Sequence, residues 1–289
     1  MIKSFVPYDA RTLSEAVSFL AEHREEAKVL AGGQSLVVLM KQGLVAPKYV
    51  VNIKGIDALK GIGPLSDGGI RIGALTTHGE VLNSSLLRER YPVLAEMAIK
   101  VGSVQVRNIG TIGGNLSHGE PAADPPPVLL ALDAKVKLKG PKEERVLALA
   151  DFFTDFYQTV IEPDEILTEV LVPALPKGAG GAYFKFARKK AVAFAMVSVA
   201  AVVQVSNGVL KEVRLGLGGV GPTPVRPREA EEALKGKALS EERLAEAAKA
   251  VMNVVRPVTD VHASAEYKRE MAGVFTKRAI REAVRRATS

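Results

Sequence analysis

The chain has 289 residues, of which 47% are hydrophobic and 25% charged, as in an ordinary globular protein of one large or two medium domains. It contains no cysteine, so it cannot by itself build a disulfide, a zinc–thiolate site or an iron–sulfur cluster. Its net charge of +7 favours anionic ligands, but the basic clusters 188–190 and 277–286 lack the interleaved aromatics of RNA binders, so we expect no nucleic-acid partner.

The N-terminal segment is predicted to form a small βαβ-like unit. Thr12 and Glu15 make a capping box, which predicts a helix ending near Arg24. A strand at 28–30, a short helix at 37–40 and a strand at 49–53 follow.

The middle segment, from Gly55 onward, mixes strands and short helices. Its predicted elements are a strand at 70–74, a helix capped by Thr77 that runs toward Leu87, a helix from Pro92 to about Lys100, a helix at 128–132 and a strand at 135–138. The proline-rich run 121–127 is predicted to be extended or turn-like, because proline disfavours helical geometry at the preceding residue.

A glycine- and proline-rich stretch at 173–181 predicts a domain boundary. We expect a domain at 1–175, with subdomains of about 1–55 and 56–175, and a smaller domain at 176–289. The second domain is predicted to contain strands near 183–187, 197–205 and 213–218 and two helices, of which the first is capped by Ser240 and the second runs from about Ser264. The fold class is therefore α+β.

No signal for membrane insertion or export is found. No charge-free apolar run reaches the roughly 18 residues that a membrane span requires, and the longest candidate, 191–205, reads as a buried strand or helix segment. The first residues lack the apolar region of a signal peptide. These patterns predict a cytoplasmic protein.

Two glycine motifs interrupt the core pattern, AGGQSL at 31–36 and TIGGN at 111–115. Glycine lets a ligand approach the backbone, and consecutive free N–H groups form an anion-binding nest. The motifs also supply neutral hydrogen-bonding side chains, those of Gln34, Ser35, Thr111 and Asn115. Either motif alone is more often a plain tight turn, but the pair suits a diphosphate.

Other nucleotide-binding motifs are absent from the sequence. AGGQSL lacks the Gly-x-Gly-x-x-Gly spacing of a Rossmann fold, and Gly61-Ile62-Gly63 is followed by a proline where the helix should begin. There is no Walker motif.

The two glycine motifs, together with later residues, resemble a known family over nearly the whole chain. The residues that carry the resemblance are AGGQSL, TIGGN, Pro121, Asp124, Pro125, Glu165-Ile166-Leu167 and Phe184-Lys185. They are similar to the FAD-binding medium subunit of the molybdenum hydroxylases, which include aerobic carbon monoxide dehydrogenase and relatives of xanthine dehydrogenase. The resemblance implies a PCMH-type FAD-binding domain of two α/β subdomains, plus a smaller C-terminal α+β domain.

The resemblance also implies a set of cofactor-binding residues. The FAD diphosphate and ribityl chain would lie against Leu30, Ala31, Gly32, Gly33, Gln34, Ser35, Leu36, Gly110, Thr111, Gly113, Gly114 and Asn115. Asp124 would hold the adenosine part, at its ribose. Ile166 and Leu167 would pack near the flavin or adenine, Lys185 would lie by the cofactor, and Ser117 and His118 occupy positions that line the flavin in relatives.

Simpler interpretations of these residues stand beside the functional ones. His118 also reads as a surface-loop histidine, Asp124 as a turn residue, and Lys185 as a solvent-facing strand residue. Arg188-Lys189-Lys190 reads as a solvated face. His23, His78 and His262 are assigned no role, and neither a catalytic acid–base residue nor a metal ligand is expected in this chain.

In that family the medium subunit carries electrons and does not hydroxylate the substrate. The resemblance implies a small subunit with iron–sulfur clusters, a large subunit with the molybdenum cofactor, a dimer of heterotrimers, and an external electron acceptor. Two alternatives remain open. One is a stand-alone FAD-dependent reductase, similar to the UDP-N-acetylenolpyruvoylglucosamine reductases, and the other is a basic nucleotide-binding module without a redox role.

Overall fold

The computed structural model describes residues 2–188 and 194–289. Within these ranges the strands are β1 Val6–Asp9, β2 Ala27–Leu30, β3 Tyr49–Asn52, β4 Ile62–Pro64, β5 Ile70–Gly73, β6 Lys135–Lys139, β7 Glu144–Ala148, β8 Phe153–Asp155, β9 Gln158–Thr159, β10 Ile166–Val172, β11 Ala179–Phe186, β12 Val197–Ser206 and β13 Val209–Gly218. The helices are α1 Leu13–His23, α2 Leu36–Gln42, α3 His78–Asn83, α4 Ser85–Arg90, α5 Pro92–Ala98, α6 Val104–Ile109, α7 Ile112–His118, α8 Pro125–Ala131, α9 Arg228–Leu234, α10 Glu241–Val254 and α11 Ala265–Ala287.

The N-terminal sheet has three parallel strands in the order β1-β3-β2. The capping box at Thr12 is present, and α1 begins and ends where its sequence signals predict. Apolar side chains of α1, including Val17 and Leu20, pack against β3 through Val51. Strand β1 was not predicted, because it is short, largely exposed and contains a proline.

The central sheet has five antiparallel strands in the order β4-β5-β10-β6-β7. It shares a large core with the helices of the middle segment. Thr77 forms the predicted capping box, but Ser84 ends α3 and caps a separate helix, α4. Helix α6 was not predicted.

The expectation that all of 121–127 is extended or turn-like is wrong for its last three residues. Pro125, Pro126 and Pro127 form the first turn of α8, and Asp124 precedes it with φ −75° and ψ −39°. The N–H groups of a first helical turn have no partner within the helix, so prolines lose nothing there.

The third sheet, β11-β12-β13, is antiparallel, and residues 197–203 of its central strand are buried on both faces. Alternate residues of β12 face different layers: Ala200 and Val202 join the core of the central sheet, whereas Val199 and Ala201 join a core with α10 and α11. The sheet therefore lies between the central domain and the C-terminal helices. The backbone of Gly216 fits against α8 so closely that a Cβ would lie 1.9 Å from the carbonyl oxygen of Pro127.

Two sequence expectations fall partly outside the described residues. The described ranges omit two residues of the basic cluster, Lys189 and Lys190, and the first three residues of the apolar run 191–205. Within the described remainder of that run, residues 197–205 lie in β12.

Candidate functional site

The first glycine motif, residues 31–36, connects the end of β2 to the start of α2. Gly33 has φ +76°, in the left-handed region where a side chain is strained. Within residues 2–188 and 194–289, none of the six amides from Ala31 to Leu36 donates a hydrogen bond to the protein. This motif therefore offers the run of free N–H groups that an anion requires.

The second glycine motif is the first turn of α7 and not a free loop. Thr111 is the N-cap, and its Oγ1 accepts a hydrogen bond from the Gly114 amide at 3.1 Å. The amides of Ile112 and Gly113 donate to carbonyl groups just after β5, each over 2.9 Å. The expectation of free N–H groups here is wrong, because the start of the helix and its attachment to β5 occupy them.

The two glycine motifs lie directly against each other. A Cβ on Gly32 would lie 2.3 Å from the carbonyl oxygen of Ile109, just before the second motif. A Cβ on Gly114 would lie 3.6 Å from the Cβ of Ala31. The glycines are needed because the two chain segments approach at backbone distance, which joins the motifs into one site.

The joined site fits a diphosphate-bearing cofactor. Neither motif contains a charged side chain, and the free amides of 31–36 suit an anion whose charge is spread over several oxygens. Ser35 makes no capping hydrogen bond, and the Oδ1 of Asn115 is buried without a partner among the described residues. Buried polar atoms are nearly always hydrogen-bonded, so Asn115 points to a partner that the protein alone does not supply.

Asp124 and Lys185 form a second cluster, brought together from α8 and β11. Lys185 Nζ lies 2.8 Å from Asp124 Oδ2, and the Tyr183 hydroxyl donates to Oδ1 at 2.6 Å. Burial raises the pKa of Asp124, and the Lys185 ammonium opposes that rise. Lys185 is mostly buried and does not face solvent, so the simpler interpretation of this residue is wrong.

The Asp124 cluster continues into a polar network. Lys185 also donates to the carbonyl of Lys100, whose ammonium donates to the carbonyl of Tyr183. Glu96 accepts from Lys100 and from Arg286 of α11. These contacts hold the start of α8 between α5, the third sheet and the last helix.

Ile166 and Leu167 begin β10 and are both buried. Ile166 packs in the N-terminal core, whereas Leu167 packs in the core of the central sheet. They therefore join the N-terminal core to the core of the central sheet. Leu30 lies at the end of β2, and Gly33 approaches its side chain.

Ser117 and His118 form the C-terminal end of α7, so His118 is not a loop residue. Ser117 is exposed, whereas the His118 ring is half-buried beside Tyr157, with ring centroids 5.3 Å apart. Burial lowers the pKa of His118, with an opposing effect of Glu120. The Glu120 carboxylate accepts a hydrogen bond from the Tyr157 hydroxyl over 2.7 Å.

Sequence analysis assigned no role to His78, a lone histidine that directly follows the helix N-cap Thr77. Its backbone N–H donates to the carbonyl of Gly110, and its ring lies against that glycine. Burial, followed by the charge of Arg107, lowers the pKa of His78 to about 4. No sequence signal identifies it, because its proximity to the site arises only in the fold.

No helix of the described residues combines the length and apolarity needed to cross a bilayer. The described residues also contain no group of three or more His, Asp or Glu side chains placed to hold a metal ion.

Comparison with known proteins identifies the family. Residues 3–175 match the family described as "FAD binding domain in molybdopterin dehydrogenase", and residues 182–283 match "CO dehydrogenase flavoprotein C-terminal domain". The chain is 36% identical over 274 residues to the carbon monoxide dehydrogenase medium chain of Hydrogenophaga pseudoflava, covering 94% of each chain. It is 32% identical over 276 residues to the putative xanthine dehydrogenase FAD-binding subunit XdhB of Escherichia coli K12, covering 95% of this chain and 94% of that relative.

The fold agrees with the sequence relatives. The structure of carbon monoxide dehydrogenase from Hydrogenophaga pseudoflava, in a form lacking the Mo-pyranopterin moiety, matches with a TM-score of 0.97 and 36% identity, covering 99% of both chains. Two family matches that together span most of the chain, full-length relatives and a shared architecture lead to one assignment: the chain belongs to the FAD-binding medium subunits of the molybdenum hydroxylases, of the carbon monoxide dehydrogenase and xanthine dehydrogenase type.

Proposed function

We propose that this chain is the flavin subunit of a heteromeric molybdenum hydroxylase and passes electrons from partner iron–sulfur clusters through FAD to an external acceptor. The observation that supports the proposal is the close contact between the two glycine motifs, in a chain that belongs to this family. Because the chain has no cysteine, thiolate-bound clusters must belong to another chain.

The residues of the joined site are assigned to binding and orientation. The amides of 31–36 would hold the FAD diphosphate, and Thr111 and Asn115 would face the adjoining polar chain. Asp124, held in place by Lys185 and Tyr183, would hold the adenosine ribose. The buried side chains of Ile166 and Leu167 would pack near the flavin or adenine. The isoalloxazine ring, when bound, supplies the electron-transfer chemistry, and the protein positions it.

The assembly is proposed to follow the same division of labour. The partners would be an iron–sulfur small subunit and a molybdenum-cofactor large subunit, in a dimer of heterotrimers located in the cytoplasm. Within this chain, 1–175 would form the FAD-binding domain and 176–289 the C-terminal domain. The third sheet packs against the core of the central sheet on one side and against α10 and α11 on the other.

An absorption spectrum of the purified chain, with chromatography of any released chromophore, tests the proposal. We expect flavin bands and released FAD, or uptake of added FAD by a colourless preparation. Co-purification should then recover a cysteine-rich chain and a molybdenum-containing chain, and reduction of that complex by its substrate should bleach the flavin bands. A colourless chain that fails to take up FAD would overturn the proposal.

A further inference from the structure

Lys100 lies two residues beyond the end of α5 and belongs to neither glycine motif, yet its contacts lead to Asp124. Its main-chain carbonyl accepts a hydrogen bond from Lys185 Nζ over 3.0 Å. The same ammonium donates to Asp124 Oδ2 over 2.8 Å. Lys100 therefore fixes the lysine that is paired with Asp124.

The side chain of Lys100 reaches the other partner of Asp124. Its Nζ donates to the carbonyl of Tyr183 and lies 4.9 Å from the centroid of the Tyr183 ring, which attracts a cation over its face. The hydroxyl of that ring donates to Asp124 Oδ1 over 2.6 Å. One residue thus contacts both of the groups that hydrogen-bond to the Asp124 carboxylate.

The Lys100 ammonium is itself held by residues from two helices. Glu96 of α5 accepts from Lys100 Nζ over 3.3 Å, and its other oxygen accepts from Arg286 of α11 over 2.7 Å. About a third of the Lys100 side chain, 31%, is exposed. Since the side chain is not needed to fill a core, its polar contacts account for its position.

The charge of Lys100 also acts on Asp124. Burial raises the pKa of the Asp124 carboxyl, and the Lys185 ammonium, the Tyr183 hydroxyl and the Lys100 ammonium oppose that rise. An ionised carboxylate accepts hydrogen bonds through both oxygens, whereas a protonated one loses part of that capacity. Lys100 therefore favours the form of Asp124 that suits the hydroxyl groups of a ribose.

We propose that Lys100 is a positioning residue for FAD binding, which holds Lys185 and Tyr183 in place and through them orients the Asp124 carboxylate toward the adenosine ribose. The inference rests on the proposed placement of the adenosine part at Asp124. It assigns a role to a residue that acts through its neighbours and not by contact with the cofactor.

FAD titrations of the full chain in its apo form, followed by flavin fluorescence, test the inference. Lys100→Met should weaken FAD binding about threefold to tenfold, the range of one hydrogen bond, and Lys100→Arg, which keeps the positive charge, should recover most of the affinity. The control is Lys60→Met, at an exposed lysine paired with Asp57, which should bind FAD like the wild type. Wild-type affinity of Lys100→Met would overturn the inference.

The pH profile of FAD binding distinguishes positioning of the carboxylate from general support of the fold. Loss of the Lys100 charge raises the pKa of Asp124, so the affinity of Lys100→Met should fall at a higher pH than that of the wild type as the solution is acidified. Lys100→Arg should keep the wild-type midpoint. Uniform weakening at every pH, with an unchanged midpoint, would indicate a merely structural role and overturn the inference.

The variant Asp124→Asn separates this inference from the proposed placement of the adenosine part. If Asp124→Asn binds FAD with wild-type affinity, the placement itself is wrong. If Asp124→Asn weakens binding and Lys100→Met weakens it further by its full factor, Lys100 does not act through Asp124 and only the inference is wrong. The expected result is that Lys100→Met adds little once Asp124 is replaced.

Circular dichroism shows whether each variant is folded at the temperature of the titration. Should Lys100→Met fail to fold, Glu96→Gln takes its place, because it leaves the lysine but removes the carboxylate that holds its ammonium. Glu96→Gln should then weaken FAD binding in the wild-type background and have little effect in Asp124→Asn. Equal effects in both backgrounds would contradict the inference.

Discussion

The ammonium of Lys185, on the first strand of the third sheet, donates to the buried carboxylate of Asp124 at the start of α8, over 2.8 Å. This ion pair joins two parts of the chain that are 61 positions apart. A charge left alone in such a place is strongly unfavourable, because burial removes the water that would solvate it.

Removal of one partner is therefore expected to destabilise the protein. Lys185→Met and Asp124→Asn should each lower the free energy of unfolding by about 3 kcal/mol or more, because each leaves the other charge buried and unpaired. The double variant should be more stable than the sum of the single effects predicts, as measured by urea unfolding followed by circular dichroism.

The exposed pair of Arg281 and Glu241 provides the control for this cycle. Arg281→Met should change stability by less than about 1 kcal/mol, because solvent screens the pair. Equal effects of Lys185→Met and Arg281→Met would show that the Asp124 pair does not contribute through burial.

The contact between the glycine motifs gives a second prediction. Gly32→Ala should release FAD and lower stability by roughly 1–3 kcal/mol, because the new methyl group forces the two motifs apart. The matched control is Gly63→Ala, since nothing lies within 4 Å of a Cβ at that position. Flavin content per protein, read from the absorption spectrum, should fall only in the first variant.

The buried state of His78 predicts a pH dependence of stability. Its folded pKa of about 4 lies below the ordinary 6.5, so between these values the unfolded chain binds a proton that the folded chain does not. The contribution to stability is complete above pH 6.5 and is lost as the pH falls toward 4, by up to about 3 kcal/mol at 1.36 kcal/mol per pH unit.

His78→Gln removes this titration. Its free energy of unfolding should therefore change less between pH 7 and pH 4.5 than that of the wild type, in parallel urea titrations. The variant His262→Gln, at an exposed loop position, is the control. Identical pH profiles for wild type and His78→Gln would show that folding does not lower the pKa of His78.

The shared core of the third sheet predicts that both halves of the chain unfold together. Gly216→Ala should destabilise the N-terminal half as well as its own sheet, because the methyl group would meet the Pro127 carbonyl of α8. Hydrogen exchange should show lower protection in both β10 and α10. Loss of protection confined to the C-terminal helices would indicate that the halves unfold independently.

Local sequence signals predicted local structure well. The boxes at Thr12 and Thr77 define helix starts because both partners of each box lie within four residues. The prediction for the proline run was wrong because proline disrupts the interior of a helix but is well suited to its first turn. The sequence does not indicate where that first turn begins.

The composition of the candidate site could be predicted, but its assembly could not. The glycines of 31–36 and 111–115 mark places of close approach, yet nothing local shows that Gly32 meets Ile109. Likewise, Lys185 lies between two phenylalanines in a pattern that is typical of a strand with one solvent-facing side. Only the packing of α8 onto the third sheet buries its side chain. Residues that reach the candidate site only through long-range contacts, such as His78, cannot be identified from a single sequence.

The central strand of the third sheet, buried on both faces, raises the question of how the strands find their alignment. In a sheet with one wet face, a shift of one residue exposes apolar side chains and is rejected for that reason. From Val199 to Val203 both faces of β12 are apolar, so polarity within that strand gives little guidance. Gly216 and Gly218 supply it by shape, because a slipped β13 would drive Leu215 or Leu217 into the backbone of α8. These two glycines therefore contribute to the pairing register of the sheet, and their loss would favour misaligned strands during folding.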